Sequence, residues 1–144
     1  MKKTNIVIIA LVLILTATAA YGQTYQAVKA EIPFSFDVRG KTYPAGEYTI
    51  KRASDLMHLW LIEGSDQDIS VMVLLSKTIE NAEKGQLNMT FHRYSDIYFL
   101  AGFTTKSYQV NLPKSKGEWR LQRELKLQDK IAGVEIVTIN AKAD

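Results

Sequence analysis

Ile32, Phe34, Phe36 and Val38 alternate with other residues across positions 30–38, and this period of two recurs in short stretches down the chain. Successive side chains on a strand point to opposite faces, so such a stretch buries one face and wets the other. Residues 47–52 repeat it, with Tyr48 and Ile50 inward and Glu47, Thr49 and Lys51 outward. Residues 57–63 are apolar on both alternating faces, Leu59 and Leu61 against Trp60 and Ile62, the pattern of a central strand covered on both sides. Residues 69–75 form a further strand, and residues 134–139 alternate as a last one.

Turn chemistry separates these stretches. Arg39-Gly40 is one turn; Pro44 pre-sets φ and Gly46 suits the fourth position in another. Residues 64–68 and 81–86 are loops by composition. Leu87, Met89 and Phe91 share a face of a strand over residues 87–94, Ser95-Asp96 makes a tight turn, and residues 97–103 return as its hairpin partner. Tyr94, Tyr98, Phe99 and Phe103 are expected to pack across that pair. The pattern changes after Pro113. Ser115 followed by Glu118 is a capping box opening a helix over residues 115–130, with Leu121 and Leu125 on one face and Gly133 closing the segment. The fold class expected is mainly β: a small antiparallel β-sandwich or barrel of six to eight strands, with one C-terminal helix that lids an edge or end of the sheet.

The N-terminus has a different character. Lys2 and Lys3 precede an unbroken apolar run over residues 6–15, followed by small residues, which together read as a secretory signal peptide over residues 1–22. Cleavage before Gln23 satisfies the small-residue rule through Ala20 and Gly22, and cleavage before Ala20 satisfies it through Ala17 and Ala19. An uncleaved anchor is the alternative, although the apolar run falls short of the roughly 20 residues that span a bilayer. Residues 23–144 then make a single domain with no membrane span of its own, exported to the periplasm or the medium. Its net charge of +3 falls to +1 once Lys2 and Lys3 are removed, which leaves no basic footprint for nucleic acid. The chain has no cysteine, so neither a lipid anchor at the cleavage site nor a disulfide is available, and stability has to come from the core.

The segments Ile32-Pro33-Phe34-Ser35-Phe36-Asp37-Val38 and Gly40-Lys41-Thr42-Tyr43-Pro44-Ala45-Gly46-Glu47-Tyr48-Thr49-Ile50 resemble the opening of a family of small exported proteins common in Acidobacteria. The likeness continues through residues 91–100 and Leu112-Pro113-Lys114-Ser115-Lys116 into the charged helix. It implies export, one β-rich domain and a C-terminal helix, and carries over no activity and no functional residue. The chain departs from that pattern in Gly117-Glu118-Trp119, where an unbroken charged stretch is more usual.

No catalytic residue, metal ligand set or cofactor motif emerges. The two histidines, His58 and His92, sit on separate strands, and zinc takes three or four ligands from a recognisable set. A G-x-S-x-G nucleophile turn and a glycine-rich phosphate loop are both missing. Asn88-Met89-Thr90 matches a glycosylation sequon by chance in a chain with a bacterial leader. The richest constellation is His92, Arg93, Tyr94, Asp96 and Tyr98 around one turn, a candidate ligand-binding edge whose plainer reading is hairpin structure.

These features favour a non-enzymatic exported binding or structural module of the bacterial cell envelope, partnered by an envelope protein or a glycan. A small carrier barrel for an apolar ligand and an undetected hydrolase are the alternatives. Expressed in a bacterial host with a tag at Asp144, the exported protein is expected to give an intact mass starting at Gln23 or Ala20. A mass that retains Met1 overturns the signal-peptide assignment.

Overall fold

The computed structural model describes residues 27–54, 59–65, 70–74, 77–80, 86–128 and 134–143; the leader, His58, the expected loops at 66–68 and 81–85, and Gly133 lie outside them. The described chain begins β1 (Val28–Ile32), β2 (Phe36–Val38), β3 (Lys41–Tyr43), β4 (Gly46–Ser54), β5 (Leu59–Gly64) and β6 (Ser70–Leu74). It continues β7 (Lys77–Glu80), β8 (Asn88–Tyr94), β9 (Ile97–Thr104), β10 (Tyr108–Asn111), α1 (Lys116–Leu127), β11 (Glu135–Asn140) and β12 (Lys142–Ala143). One sheet runs β12-β1-β4-β5-β6; the other runs β11-β8-β9-β10-β7, with β2 and β3 attached beside β9. The architecture of the described residues is therefore mainly β with one helix near the C-terminus, as expected, and a sandwich rather than a closed barrel. Among the described residues pairing is antiparallel except between β2 and β9. No helix among the described residues is long and apolar enough to cross a membrane.

There are more strands than the six to eight expected, for two reasons. Short strands such as β3, β10 and β12 carry too few alternating residues to stand out in sequence. In addition, residues 30–38, read as one strand, form two in different sheets: β1 ends at Ile32 and β2 begins at Phe36. Pro33 has no N–H to extend a ladder and confines Ile32 to extended backbone, so the chain crosses from one sheet to the other there. The alternation outlives the crossing. Ile32, Phe36 and Val38 are all buried, and the partly buried Phe34 stacks on Tyr98 at 3.8 Å and meets Phe91 edge-on at 5.2 Å.

The two turns that follow behave as their residues dictate. Arg39 (φ 56°) and Gly40 (φ 90°) are both left-handed, the geometry of a two-residue hairpin, and Asp37 accepts the Gly40 N–H at 2.8 Å. At the second turn, the buried Tyr48 donates its hydroxyl to the Pro44 carbonyl at 2.7 Å, which gives the polar tip of a core ring a partner. Strand β5 corrects an expectation. Trp60 and Ile62 are buried but Leu59 and Leu61 are only half-buried, because the sheet has one face in the core and the other toward solvent.

Aromatic rings join the sheets. Phe36 meets Tyr48 at 5.0 Å and Phe91 at 5.4 Å, both edge-on, and Trp60 meets Phe103 edge-on at 5.0 Å. Phe103 reaches that position because β9 carries a bulge: Thr90 pairs with Gly102 but Phe91 pairs with Leu100, leaving Ala101 as the extra residue. The bulge resets the alternation, so Leu100 and Phe103 both enter the core although they are three residues apart. It also distributes the four aromatics expected to pack together. Tyr94 meets Phe99 at 5.8 Å, Tyr98 lies on Phe34, and Phe103 lies on Trp60.

Gly102 sits where no side chain fits, since a Cβ there would lie 2.4 Å from the Val110 carbonyl oxygen, whereas one at Gly117 would meet only Ser115 Oγ at 3.7 Å. Gly102→Ala is expected to destabilise by about 1–3 kcal/mol. Gly117→Ala, in the first turn of α1, is expected to stabilise by about 0.4–1 kcal/mol. Urea denaturation of both variants checks the opposite signs.

Candidate functional site

The five residues singled out around the β8–β9 turn are divided among three places. Arg93 and Tyr98 lie on the side of the sheet that carries Phe91, at the end of the sandwich. The Arg93 guanidinium sits 5.6 Å from the Tyr98 ring centre and donates to Glu135 at 3.1 Å and to the Ser95 carbonyl at 2.8 Å. Asp96 projects from the hairpin tip, its side chain 96% exposed and 4.0 Å from Arg93. Ser95 takes the left-handed turn position (φ 55°). His92 and Tyr94, two residues apart on β8, face outward together beneath α1.

What holds α1 above them is one carboxylate. Ser115 caps the helix as its sequence predicts, accepting the Glu118 N–H on Oγ at 3.1 Å. The other half of the capping box is not made, because the Glu118 side chain turns down onto the sheet. Its Oε1 lies 2.7 Å from His92 Nδ1 and accepts the Tyr94 hydroxyl at 2.9 Å. Lys114 donates to the Tyr94 oxygen at 3.1 Å and to Gln122 at 3.2 Å, with its Nζ 3.9 Å from the carboxylate. Glu118 is the only buried residue of α1, while Trp119 and Leu127 are exposed. The expected apolar anchor of Leu121 and Leu125 is thus only partial, both being half-buried. Burial of Glu118 is tolerable because hydrogen bonds and a nearby cation compensate its desolvation.

Tyr94 is the group whose ionisation the cluster changes most clearly. Burial first, then the hydrogen bond to Glu118 and that carboxylate's charge, hold its phenol well above the ordinary value of 10.0. The cluster therefore keeps a neutral hydroxyl between a carboxylate and an ammonium group.

Beside the helix, the outer face of the second sheet is open. A groove of about 300 Å³ runs over β8, β9 and β10, with Thr90, Thr104, Gln109 and Asn111 along it and His92 and Ile136 at the helix end. A second space, between the start of α1 and Asp37, Phe99 and Leu112, measures about 10 Å³, enough for about one water. Among the described residues no three His, Asp or Glu side chains converge to hold a metal ion. Sequence reading reached His92 and Tyr94 but assigned Glu118 to a cap and passed over Lys114 and the groove. A capping-box glutamate followed by an exposed tryptophan was the available hint for the first; the groove depends on register across strands distant in sequence.

Removing the carboxylate orphans two donors, so Glu118→Ala is expected to cost about 1.5–3 kcal/mol in urea denaturation. Tyr94 sets an alkaline dependence. Its folded pKa lies above the unfolded value, so its contribution is whole below about pH 10 and is lost as pH rises toward the folded value. Stability measured between pH 9 and 12 is expected to fall less steeply in Tyr94→Phe than in the parent; equal slopes overturn the assignment. No family model, curated protein or solved structure matches the chain.

Proposed function

We propose that the chain is an exported, non-catalytic β-sandwich module of the bacterial cell envelope that binds a partner through the open outer face of its second sheet. The observation that carries this is the groove of about 300 Å³ over β8–β10, at the lower end of the volumes typical of ligand sites. The Glu118 cluster closes one end of that face under α1 and leaves the rest accessible. Export draws on the leader and on the resemblance to exported proteins.

The carrier alternative needs room inside a barrel. Here Phe36, Tyr48, Trp60, Phe91 and Phe103 occupy the space between two sheets, and the groove lies outside it. The hydrolase alternative has one observation in its favour, the His92–Glu118 pair, which is how a general base is oriented. The groove wall at that end offers Thr90 and Ile136 rather than a serine or cysteine nucleophile.

The test is co-sedimentation of purified residues 23–144 with isolated envelope fragments from a bacterium that encodes the protein. The parent domain is expected to sediment with the fragments, and Thr90→Arg, which fills the groove from an outward-facing strand position, is expected to stay in the supernatant with unchanged thermal stability. Equal retention of parent and variant overturns the assignment of this face.

A further inference from the structure

Strand register shows what the open face is made of. One rung across the second sheet reads Asn140 on β11, Asn88 on β8, Thr104 on β9 and Gln109 on β10, each paired with the next. The adjacent rung reads Thr138, Thr90, Gly102 and Asn111. Two successive rungs over four strands thus carry only amides, hydroxyls and one glycine, in a chain where 23% of residues are charged. None of the seven side chains is buried. Among the described residues only one of them is engaged, Asn88 Nδ2 donating to the Gln86 carbonyl at 3.1 Å. The first cation met on the β10 side is Lys77 of β7, which pairs with Asn111.

We infer that this face is a binding platform for an uncharged polysaccharide. The inference rests on the assignment of this face as the binding surface and adds the class of its ligand. Amides and hydroxyls each offer both donor and acceptor, which matches sugar hydroxyls, and no charge on the two rungs has to be desolvated or paired. A protein partner would call for aromatic or arginine anchors at the centre of the patch, and the two rungs carry none. The strand spacing of about 4.8 Å is close to the advance of one pyranose in a β-linked chain, so successive sugars fall over successive strands. Ile136 at one end and Leu112 beside the groove supply apolar contact for the C–H face of a ring.

Affinity gel electrophoresis tests this on defined polymers: hydroxyethyl cellulose, xyloglucan, laminarin, glucomannan and dextran as neutral probes, alginate and polygalacturonate as anionic ones. Residues 23–144 are expected to be retarded by at least one neutral polymer and by neither anionic one, with retardation insensitive to 0.5 M salt, a concentration at which surface charge contacts are strongly screened, to about 4–5 Å. The double variant Gln109→Glu/Asn111→Asp, which changes charge but hardly shape, is expected to weaken retardation at least tenfold. Glu31→Gln on the first sheet is expected to leave it unchanged. No retardation by any neutral polymer, or retardation that the double variant leaves intact, overturns the inference. If envelope retention still depends on Thr90 while no neutral polymer binds, the ligand class is wrong and the surface assignment stands. If retention ignores Thr90, the surface assignment itself fails.

Discussion

Without a cysteine in the chain, no disulfide ties the two sheets, and aromatic rings fill much of the gap between them. Phe36 is the joint. It belongs to the second sheet through β2, yet it meets Tyr48 of the first sheet edge-on as well as Phe91 of its own. It can do so because Pro33 makes the chain change sheets three residues earlier. Edge-to-face contacts of this kind add about 0.5–1.5 kcal/mol each beyond the apolar area they bury, and they restrict how the sheets can slide. Trp60 and Phe103 repeat the arrangement at the other end of the core.

The same packing determines what is left for the outer face. Because β9 bulges at Ala101, Phe103 turns inward to Trp60, and the Val110 carbonyl of β10 closes against Gly102 where a Cβ would stand. Before the bulge, Phe99 faces outward and lies under Tyr94 and the start of α1. The outer face therefore has a covered apolar end and an open polar end, and the bulge is the boundary between them.

Glu118 maintains that division. A helix with Trp119 and Leu127 exposed has little apolar surface to anchor it, so its position depends on a buried carboxylate shared by His92 and Tyr94. Lys114 balances the charge from the chain segment that enters the helix. Such a cluster is directional where an apolar contact is not: it specifies which turn of α1 meets which rung of β8.

Much of the β architecture was legible in the sequence by itself. Period-two alternation located β4, β8 and β11, β-forming composition located β6, the Ser95-Asp96 turn placed β9 as a hairpin partner, the Arg39-Gly40 and Pro44–Gly46 turns fell where their conformational preferences place them, and Ser115 marked the helix start. These are local properties, set by backbone preference and by which face a side chain takes. Tertiary structure decided the rest: that residues 30–38 serve two sheets, that β9 changes phase at its bulge, that Glu118 leaves its cap for His92 and Tyr94, and that Asn140, Asn88, Thr104 and Gln109 line up in one rung. Each of these depends on a partner remote in sequence, Phe91, Val110, Tyr94 or the neighbouring strand. Local propensity carries no information about which distant residue will stand opposite.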